Sequence, residues 1–279
     1  MRINLAKSAG FCFGVKRAIN IAFDTVKSQK NIEMLGDIVH NEEVVKDVAC
    51  TGIKKVSRLT KGINKTLLIR AHGTPRKIYL EARKLGYQIV DATCPMVKEI
   101  HKIANKAQLA GYKIIIVGNR NHDEVKGIVG QLTNKALVID SAKNIPLKLI
   151  KSIKKAAVVE QSTQNIDNVN QIVAILRKYI KEVKFFNTIC APTRIKQQEI
   201  RKMPLENDTM IIIGSKNSAN TKRLYQISKT INKRTYWVQS KDDLKLAWLR
   251  GISSVGITAG ASTPDKTTRE IIGHIRKSS

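Results

Sequence analysis

The stretch KIIIVGNRNHDEVKGIVGQ, residues 113–131, decides the predicted fold because its pattern changes once, at a polar turn. The apolar run Lys113–Val117 is typical of a buried strand, and residues 123–131 have helical periodicity. His122 lies in the turn between them. The same order of apolar run, polar turn and helix recurs along the chain. It predicts an α/β fold with mostly parallel sheets.

The pattern recurs in three units. Each unit runs helix, strand, polar turn, helix, strand, second polar turn, helix, strand and cysteine. The predicted strands are Ile32–Leu35, Thr66–Ile69, Lys113–Val117, 156–159, Thr209–Ile213 and 253–257. The predicted helices are 123–131, 166–180 and 220–231. Ligands in open α/β sheets bind beyond the carboxyl ends of the strands, so each polar turn lies where a ligand is expected.

The positions of the cysteines predict the domain boundaries. We expect α/β units at 13–94, 95–190 and 191–279. The third unit has no closing cysteine, so we expect residues 1–12, with a short strand at 3–6, to complete it. The chain is then a pseudo-threefold ring of α/β units around a central site.

The length and hydrophobic content of the sequence exclude several classes of protein. With 279 residues and 42% hydrophobic content, the chain is long enough to bury a core. No segment approaches the ~20 apolar residues of a membrane helix, and the N-terminus lacks a signal-peptide pattern, which predicts a cytoplasmic protein.

The net charge is +28, but the lysines are spread along the chain and only 5% of residues are aromatic. This favours a solvated basic surface, attractive to anions and acidic partners, over a nucleic-acid site. A basic, non-catalytic metal protein that contacts nucleic acid stays open as an alternative.

Four cysteines occur far apart in the chain, a spacing that does not favour a disulfide framework. Cys50 ends a helical pattern, and we interpret it as a packing residue. Cys12, Cys94 and Cys190 each close a unit, and three thiolates suit a soft metal with one open coordination position. A [4Fe–4S] cluster normally has four cysteine ligands, so three would leave one iron exposed. Zinc bound by three cysteines and a histidine stays open, although the absence of a CxxC pair weakens it.

Three of the five histidines follow an apolar strand and precede a helix, where imidazole and backbone N–H groups can hold an anion. These histidines are His40, His72 and His122. The equivalent residues of the third unit are Ser218, Asn220 and Ser262, although Ser and Asn there are also ordinary helix caps. One ring of donors predicts a phosphate or diphosphate ligand. His101 and His274 lie in helical patterns and are interpreted as surface or packing residues.

Glu124 lies two residues after His122. If Glu124 faces the same pocket, burial would raise its pKa and make it a proton donor, with Ser162 and Thr163 relaying the proton. The alternative is a favourable first-turn charge. The segment 122–124 also matches half of the zinc deaminase signature, but the PCxxC half is absent. No Rossmann or P-loop motif is present.

Seven ordered motifs that run through essentially the whole chain resemble the 4-hydroxy-3-methylbut-2-enyl diphosphate reductase (LytB) family. They are GFCFGV at 10–15, VHN at 39–41, AHG at 71–73, DATCP at 91–95, HDEV at 122–125, GSKNSAN at 214–220 and TAGAS at 258–262. The resemblance implies two-electron reductive removal of an allylic hydroxyl, giving isopentenyl and dimethylallyl diphosphate in the last step of the non-mevalonate route.

The resemblance also implies the cofactor, the partners and the residue roles. Cys12, Cys94 and Cys190 would bind one central [4Fe–4S] cluster, whose open iron takes the substrate hydroxyl, and Glu124 would deliver protons. The electron donor would be of the ferredoxin or flavodoxin type. The diphosphate would be held by His40, His72, His122, Ser218, Asn220 and Ser262.

Two positions depart from the family pattern. A serine is usual where Ala219 stands, so one diphosphate hydrogen bond is lost unless the backbone N–H supplies it. A threonine is usual where Ser162 stands, and its hydroxyl is kept. A phosphate-ester enzyme that uses the same ring without redox chemistry is the remaining rival.

Overall fold

The computed structural model describes residues 1–277 as an alternation of strands and helices. The strands are β1 (Arg2–Leu5), β2 (Ile32–Leu35), β3 (Lys54–Val56), β4 (Thr66–Ile69), β5 (Gln88–Asp91), β6 (Lys113–Val117), β7 (Leu137–Ile139), β8 (Lys155–Glu160), β9 (Glu182–Phe185), β10 (Thr209–Ile213), β11 (Thr235–Val238) and β12 (Ser254–Ala259). The helices are α1 (Phe13–Ser28), α2 (Glu42–Cys50), α3 (Arg76–Lys84), α4 (Pro95–Leu109), α5 (Asp123–Val129), α6 (Leu147–Ile150), α7 (Ile166–Tyr179), α8 (Ala191–Glu206), α9 (Ala219–Ile231) and α10 (Asp265–Lys277).

The strands form three parallel four-stranded sheets with the same connectivity. Sheet A has the order β11-β10-β12-β1, sheet B the order β3-β2-β4-β5 and sheet C the order β7-β6-β8-β9. Every strand pair within them is parallel. The predicted α/β class with three pseudo-equivalent units is therefore confirmed.

The N-terminal strand belongs to sheet A. Arg2 pairs with Ser254 and Leu5 with Ile257, so β1 occupies the position that β5 and β9 hold in the other sheets. The hydrogen bonds that β1 makes to β12 join residues about 250 positions apart in the chain.

The chain divides into two compact units. Unit 1 contains sheet A and consists of Met1–Lys16, Val39–Asp47 and Ala191–Ser279, of which residues 278 and 279 lie outside the described part. Unit 2 contains sheets B and C and consists of Arg17–Ile38 and Val48–Cys190. The boundaries 13–94, 95–190 and 191–279 stay a prediction.

Sheet C shows why the central strands are apolar runs rather than alternating sequences. One face of β6 and β8, including Ile115 and Val158, packs on α7, and the opposite face, including Ile116 and Val159, packs on α4 and α5. A parallel strand covered on both faces has no solvent side, so the side chains in its middle are apolar on both faces.

The edge strands β3, β7 and β11 were not predicted. β3 begins with two exposed lysines and has no hydrophobic signal, whereas β7 (LVI) and β11 (TYWV) are apolar but only three and four residues long. The predicted central strands were slightly short, since β8 continues to Glu160 and β12 to Ala259. Among residues 1–277, no helix has the length and apolar content that crossing a membrane requires.

Candidate functional site

The turn after β6 presents an imidazole N–H. His122 is the N-cap of α5, and its Nδ1 accepts a hydrogen bond of 3.2 Å from the N–H of Glu124. Because Nδ1 acts as the acceptor, the proton of the neutral ring lies on Nε2. That N–H is a donor suited to an anionic oxygen.

Glu124 is buried, with 2% of its surface exposed. Its Oε1 accepts a hydrogen bond of 2.6 Å from the Ser162 N–H, and its Oε2 accepts one of 2.8 Å from the Ser162 hydroxyl. Burial raises the pKa of Glu124, and the two hydrogen bonds from Ser162 oppose that rise without cancelling it. The carboxyl group therefore holds a proton at higher pH than an exposed glutamate does.

The two predicted relay residues differ in their contacts. Ser162 contacts Glu124 directly. Thr163 instead accepts a 3.0 Å hydrogen bond from Gln161 Nε2, and Gln161 Oε1 accepts one of 3.1 Å from the Asn119 N–H. Gln161, which had no predicted role, thus connects the turns after β6 and β8.

The turn after β4 carries His72 and is fixed to the start of α5. Arg70 makes a 2.7 Å ion pair with Asp123, and both side chains are mostly buried. The rings of His72 and His122 lie edge to face, with centroids 5.5 Å apart. Gly73 has a φ of 72°, a conformation that favours glycine, and it lets the chain turn directly after His72. Unit 2 therefore presents two neighbouring imidazoles.

In unit 1, His40 lies against the turns of sheet A. The Ser262 hydroxyl donates a 2.9 Å hydrogen bond to the carbonyl oxygen of His40. Glu42 Oε1 accepts hydrogen bonds from Ser215 Oγ at 2.9 Å and from Asn217 Nδ2 at 3.0 Å. These contacts fix the backbone at His40 from both sides.

The turn after β10 contains Ser218, Ala219 and Asn220. Ser218 Oγ accepts a hydrogen bond from the Thr221 N–H and caps α9, which leaves its own O–H proton to donate elsewhere. Asn220 is 4% exposed, and within residues 1–277 neither its Oδ1 nor its Nδ2 has a hydrogen-bond partner. An amide buried without partners is costly, so the side chain is suited to a polar ligand.

The three unit-closing cysteines share one backbone arrangement. The N–H of Cys94 donates to Ala71 O at 3.0 Å, that of Cys190 to Ser162 O at 3.1 Å and that of Cys12 to Ala261 O at 3.0 Å. In each case the acceptor lies two residues beyond a strand end, those of β4, β8 and β12. This equivalence relates the three sites more closely than any sequence identity does.

The cysteines also suit a soft metal. Each is half-buried, each directly precedes a helix, α1, α4 or α8, and none of these residues, all within 1–277, is in a disulfide. Cysteine sulfur is the ligand that normally holds iron–sulfur clusters. The donor set thus fits the implied iron–sulfur group.

Cys50 is exposed at the end of α2, so its interpretation as a packing residue is wrong. The helical pattern around it, which includes the buried Val44 and Val48, places Cys50 on the outer side of the helix. His101, by contrast, is largely buried, and burial lowers its pKa to about 4. That agrees with a packing role.

Buried charged residues support the cysteine segments and were not predicted. Glu160, at the end of β8, accepts hydrogen bonds from Thr188 N at 2.5 Å and Thr188 Oγ1 at 2.7 Å. Burial raises the pKa of Glu160 to about 7, although the contacts to Thr188 oppose it. In a chain this rich in charge, only the position of Glu160 at the end of an apolar run could have drawn attention to it.

Asp91 supports Cys94 in a similar way. Its Oδ1 accepts a hydrogen bond of 2.9 Å from Thr93 N, and its Oδ2 pairs with Lys98 at 2.7 Å. Burial alone would raise the pKa of Asp91, but the contacts to Lys98 and Thr93 outweigh it and lower the pKa. The spacing of Asp91 and Thr93 is the kind of local pattern that predicts such a turn.

Unit 1 and unit 2 each contain part of the predicted site. Unit 2 contains His72, His122, Glu124, Ser162, Thr163, Cys94 and Cys190. Unit 1 contains Cys12, His40, Ser218, Ala219, Asn220 and Ser262. Within each unit these residues lie at or directly beyond the carboxyl ends of strands, as predicted, except His40, which is held there by Ser262.

The chain is similar to known proteins over nearly its whole length. The family model described as "LytB protein" matches residues 3–276. A 4-hydroxy-3-methylbut-2-enyl diphosphate reductase of Aquifex aeolicus is 39% identical, covering 99% of this chain and 96% of that protein. A protein of the same name from Geobacter metallireducens is 38% identical, with 99% and 98% covered.

Two solved structures are similar over nearly the whole chain. One, of (E)-4-hydroxy-3-methyl-but-2-enyl diphosphate reductase, the terminal enzyme of the non-mevalonate pathway, has a TM-score of 0.73 and 38% identity, and covers 99% of this chain and 100% of its own. The other, of the E-1-hydroxy-2-methyl-but-2-enyl-4-diphosphate reductase from Plasmodium falciparum, has a TM-score of 0.89 and 28% identity, covering 98% and 87%.

Proposed function

The chain belongs to the LytB family, and from that premise we propose that it is an oxidoreductase that converts 4-hydroxy-3-methylbut-2-enyl diphosphate to isopentenyl and dimethylallyl diphosphate. This is the last step of the non-mevalonate isoprenoid route. The basic, non-catalytic alternative is not favoured, because the relatives that match nearly the whole chain are named as reductases.

One contact carries the proposal. Ser162 donates two hydrogen bonds to the buried carboxyl group of Glu124, and its carbonyl oxygen accepts the N–H of Cys190. A proton donor is thus joined through one residue to a cysteine segment. Reductive removal of a hydroxyl needs this pairing, because the leaving oxygen must receive a proton as the electrons arrive.

The family is one of iron–sulfur enzymes, and we infer that Cys12, Cys94 and Cys190 are the ligands of a [4Fe–4S] cluster with one open iron. When bound, such a cluster supplies the electrons of the reduction and a Lewis-acidic iron. The equivalent position of the three cysteines supports the assignment, because each directly precedes a helix and each backbone N–H donates to a carbonyl oxygen two residues beyond a strand end.

The diphosphate is assigned to the donors at the strand ends. Nε2–H of His122, the hydroxyl of Ser218 and the unpartnered amide of Asn220 support this assignment. His40, His72 and Ser262 complete the set, and Ala219 can offer only its backbone N–H. Several N–H and O–H donors together suit a group that carries several negative charges, because hydrogen bonds to an ionised acceptor are stronger than those between neutral groups.

Glu124 holds the proton for the reaction. The allylic C–O bond breaks, two electrons enter the carbon fragment, and the leaving oxygen takes the Glu124 proton and departs as water. A second proton then adds to either end of the allyl fragment, which gives the two products. The Ser162 hydroxyl, 2.8 Å from Glu124 Oε2, is placed to return a proton to the carboxylate. Thr163, which follows Ser162 in the sequence, carries the next hydroxyl group.

We propose an acidic electron donor of the ferredoxin or flavodoxin type, because the chain has a net charge of +28. A cytoplasmic location is proposed with it, so that the enzyme and its electron donor share one compartment.

The proposal is tested by anaerobic turnover of 4-hydroxy-3-methylbut-2-enyl diphosphate with a chemical reductant. We expect brown protein with about four irons per chain, as three cysteines and an open iron require, and both isomeric products. The matched control is Cys50→Ser, which removes an exposed cysteine and should retain full activity.

Three outcomes contradict the proposal. A colourless zinc protein refutes the cluster. Activity on phosphate esters after Cys12, Cys94 and Cys190 are all replaced supports the phosphate-ester rival. An iron-loaded protein that leaves the substrate unchanged refutes the reaction.

A further inference from the structure

Helix α8 contributes a lysine to the interior of unit 1. Lys196 is 3% exposed, although lysine is among the residues least often buried. Its Nζ donates hydrogen bonds to the carbonyl oxygens of Ser8, of Gly10 at 3.0 Å and of Ala259 at 3.1 Å. An ammonium group has three N–H donors, so all of them are used.

The three acceptors lie at the base of the Cys12 segment. Ser8 and Gly10 belong to the loop that connects β1 to α1, and Ala259 is the last residue of β12. The Gly10 N–H also donates to Ala259 O at 3.4 Å. Lys196 thus joins the carboxyl ends of two adjacent strands directly before Cys12.

A second residue of α8 contacts the beginning of the loop between β1 and α1. Glu199, one turn after Lys196, accepts hydrogen bonds of 3.0 Å from the N–H groups of Lys7 and Ser8, and one from the Ser8 hydroxyl. Gly10 has a φ of 88°, and a Cβ there would lie 2.7 Å from Asp265 Oδ1. The path of the backbone into Cys12 is therefore fixed at several points.

The charge of Lys196 acts on Cys12 as well as on the backbone. Burial lowers the pKa of Lys196 to about 8, and attraction between the ammonium and the Cys12 sulfur opposes that fall. The carbonyl oxygen of Gly10, which accepts a hydrogen bond from Nζ at 3.0 Å, is only two residues before Cys12. Inside a protein such an attraction is screened far less than in water.

We infer that Lys196 is a positioning residue for the reductase: its ammonium fixes the Cys12 segment and supplies a positive charge that favours the reduced state of the group that Cys12 binds. The inference rests on the proposed function. A reduced cluster carries one more negative charge, so a buried cation beside a ligand raises its reduction potential.

Three substitutions separate the two parts of this role. Lys196→Met removes both the charge and the hydrogen bonds. Lys196→Gln removes the charge but keeps an N–H donor group, and Lys196→Arg keeps the charge. Lys202→Met, on the exposed side of the same helix, is the matched control.

The potential is measured by reductive titration of iron-loaded protein followed by electron paramagnetic resonance. We expect more negative potentials for Lys196→Met and Lys196→Gln, and values near wild type for Lys196→Arg and Lys202→Met. With a fixed weak reductant, kcat of Lys196→Met should fall roughly 10- to 100-fold while KM changes little, because the diphosphate donors are untouched.

The positioning part is measured without iron, by hydrogen exchange of the full-length apo-protein. We expect faster exchange at the amides of Gly10 and Cys12 in Lys196→Met than in wild type, and a smaller increase in Lys196→Gln. If Lys196→Met does not fold, Lys196→Gln gives both readouts.

Unchanged potential and unchanged exchange in the folded Met or Gln variant overturn the inference. Faster exchange with an unchanged potential also overturns it, because it leaves Lys196 a merely structural residue. Failure of the proposed function is distinct, since wild-type protein would then lack iron or turnover whatever residue 196 is.

Discussion

Sheets A and C have the same strand order but opposite chemistry at their carboxyl ends. The turns and strand ends of sheet C carry the titratable side chains His122, Glu124 and Glu160, whereas the turn after β10 of sheet A carries neutral donors, Ser218 and Asn220. The fold thus determines where a ligand-facing residue stands, and the residue type determines whether the position binds or transfers protons. Substrate binding by Ser218 and Asn220 should be insensitive to pH. Proton transfer at the end of sheet C should depend on pH.

The largest expected effect is on Glu124. In Glu124→Gln the side chain keeps its shape and can still contact Ser162 but cannot give up a proton, so we expect kcat to fall by about 10²–10⁴-fold. Iron content should match wild type. The measurement is anaerobic turnover beside iron analysis, and Glu99→Gln, on the exposed side of α4, is the control.

The pH profile sharpens the same point. In the proposed reaction the active form of Glu124 is protonated, and burial raises its pKa, so kcat of wild type should fall as pH rises through that raised pKa. Glu124→Gln should lose this dependence. Wild-type turnover that is flat with pH, or a Gln variant near wild-type activity, would remove the contrast between the two sheet ends.

The next effect is on stability, at Glu160. The pKa of this carboxyl group is about 7 in the folded protein, against 4.5 for the ordinary group. Its stabilising contribution is therefore complete below pH 4.5 and is lost as pH rises through 7, a loss of about 3 kcal/mol in the free energy of unfolding. Glu160→Gln, which cannot ionise, should be the more stable protein at pH 8.

The measurement for Glu160 is denaturant unfolding of wild type and Glu160→Gln at several pH values, with Glu99→Gln as the exposed control. The difference between wild type and Glu160→Gln should grow from near zero at pH 4.5. A difference that does not change with pH would show that Glu160 stays in one protonation state.

A smaller effect is expected at Asn220, one of the two neutral donors after β10. Asn220→Ala removes a buried amide that has no hydrogen-bond partner among residues 1–277, so the loss should fall on substrate binding, with KM rising by about tenfold. The amide does not titrate, so the factor should be equal at pH 6 and pH 8. A ratio of variant to wild-type KM that changes with pH, or a fall in kcat without a change in KM, would contradict this assignment. Asn134→Ala, on an exposed loop, is the control.

The smallest effect is expected at Ala219. Ala219→Ser adds a hydroxyl at the start of α9, beside Ser218 and Asn220, and we expect KM to fall by about two- to fivefold, the value of one added hydrogen bond. Steady-state kinetics measures the change. An unaltered KM would indicate that the Ala219 backbone N–H already provides this contact.

Much of the fold could be predicted because the central strands are buried on both faces. The run Lys113–Val117 and the turn to His122 reveal strand, site and helix together, and five more strands follow the same pattern. The edge strand β3, with its exposed lysines, has no comparable signal. Hydrophobic patterning reports burial, so it misses strands that are only partly buried.

The site was predictable only where it follows strand ends. Glu124 could be identified from its spacing to His122, but its burial depends on Ser162, which is distant in the chain. Lys196 had no signal at all. The buried face of α8 is Thr193, Lys196, Gln197 and Ile200, largely polar, so its periodicity resembles that of a solvent-exposed helix.

The pairing of β1 with β12 has a consequence for biosynthesis. Within the described chain β1 is an edge strand whose neighbour is β12, so the strand made first waits for Ser254–Ala259 before it can enter a sheet. Until then, the Cys12 segment lacks the acceptors at Ala259 and Ala261. A ribosome-bound chain can therefore mature Cys94 and Cys190 before Cys12. If all three cysteines bind the cluster, as proposed, its delivery must follow synthesis of β12 and Ala261.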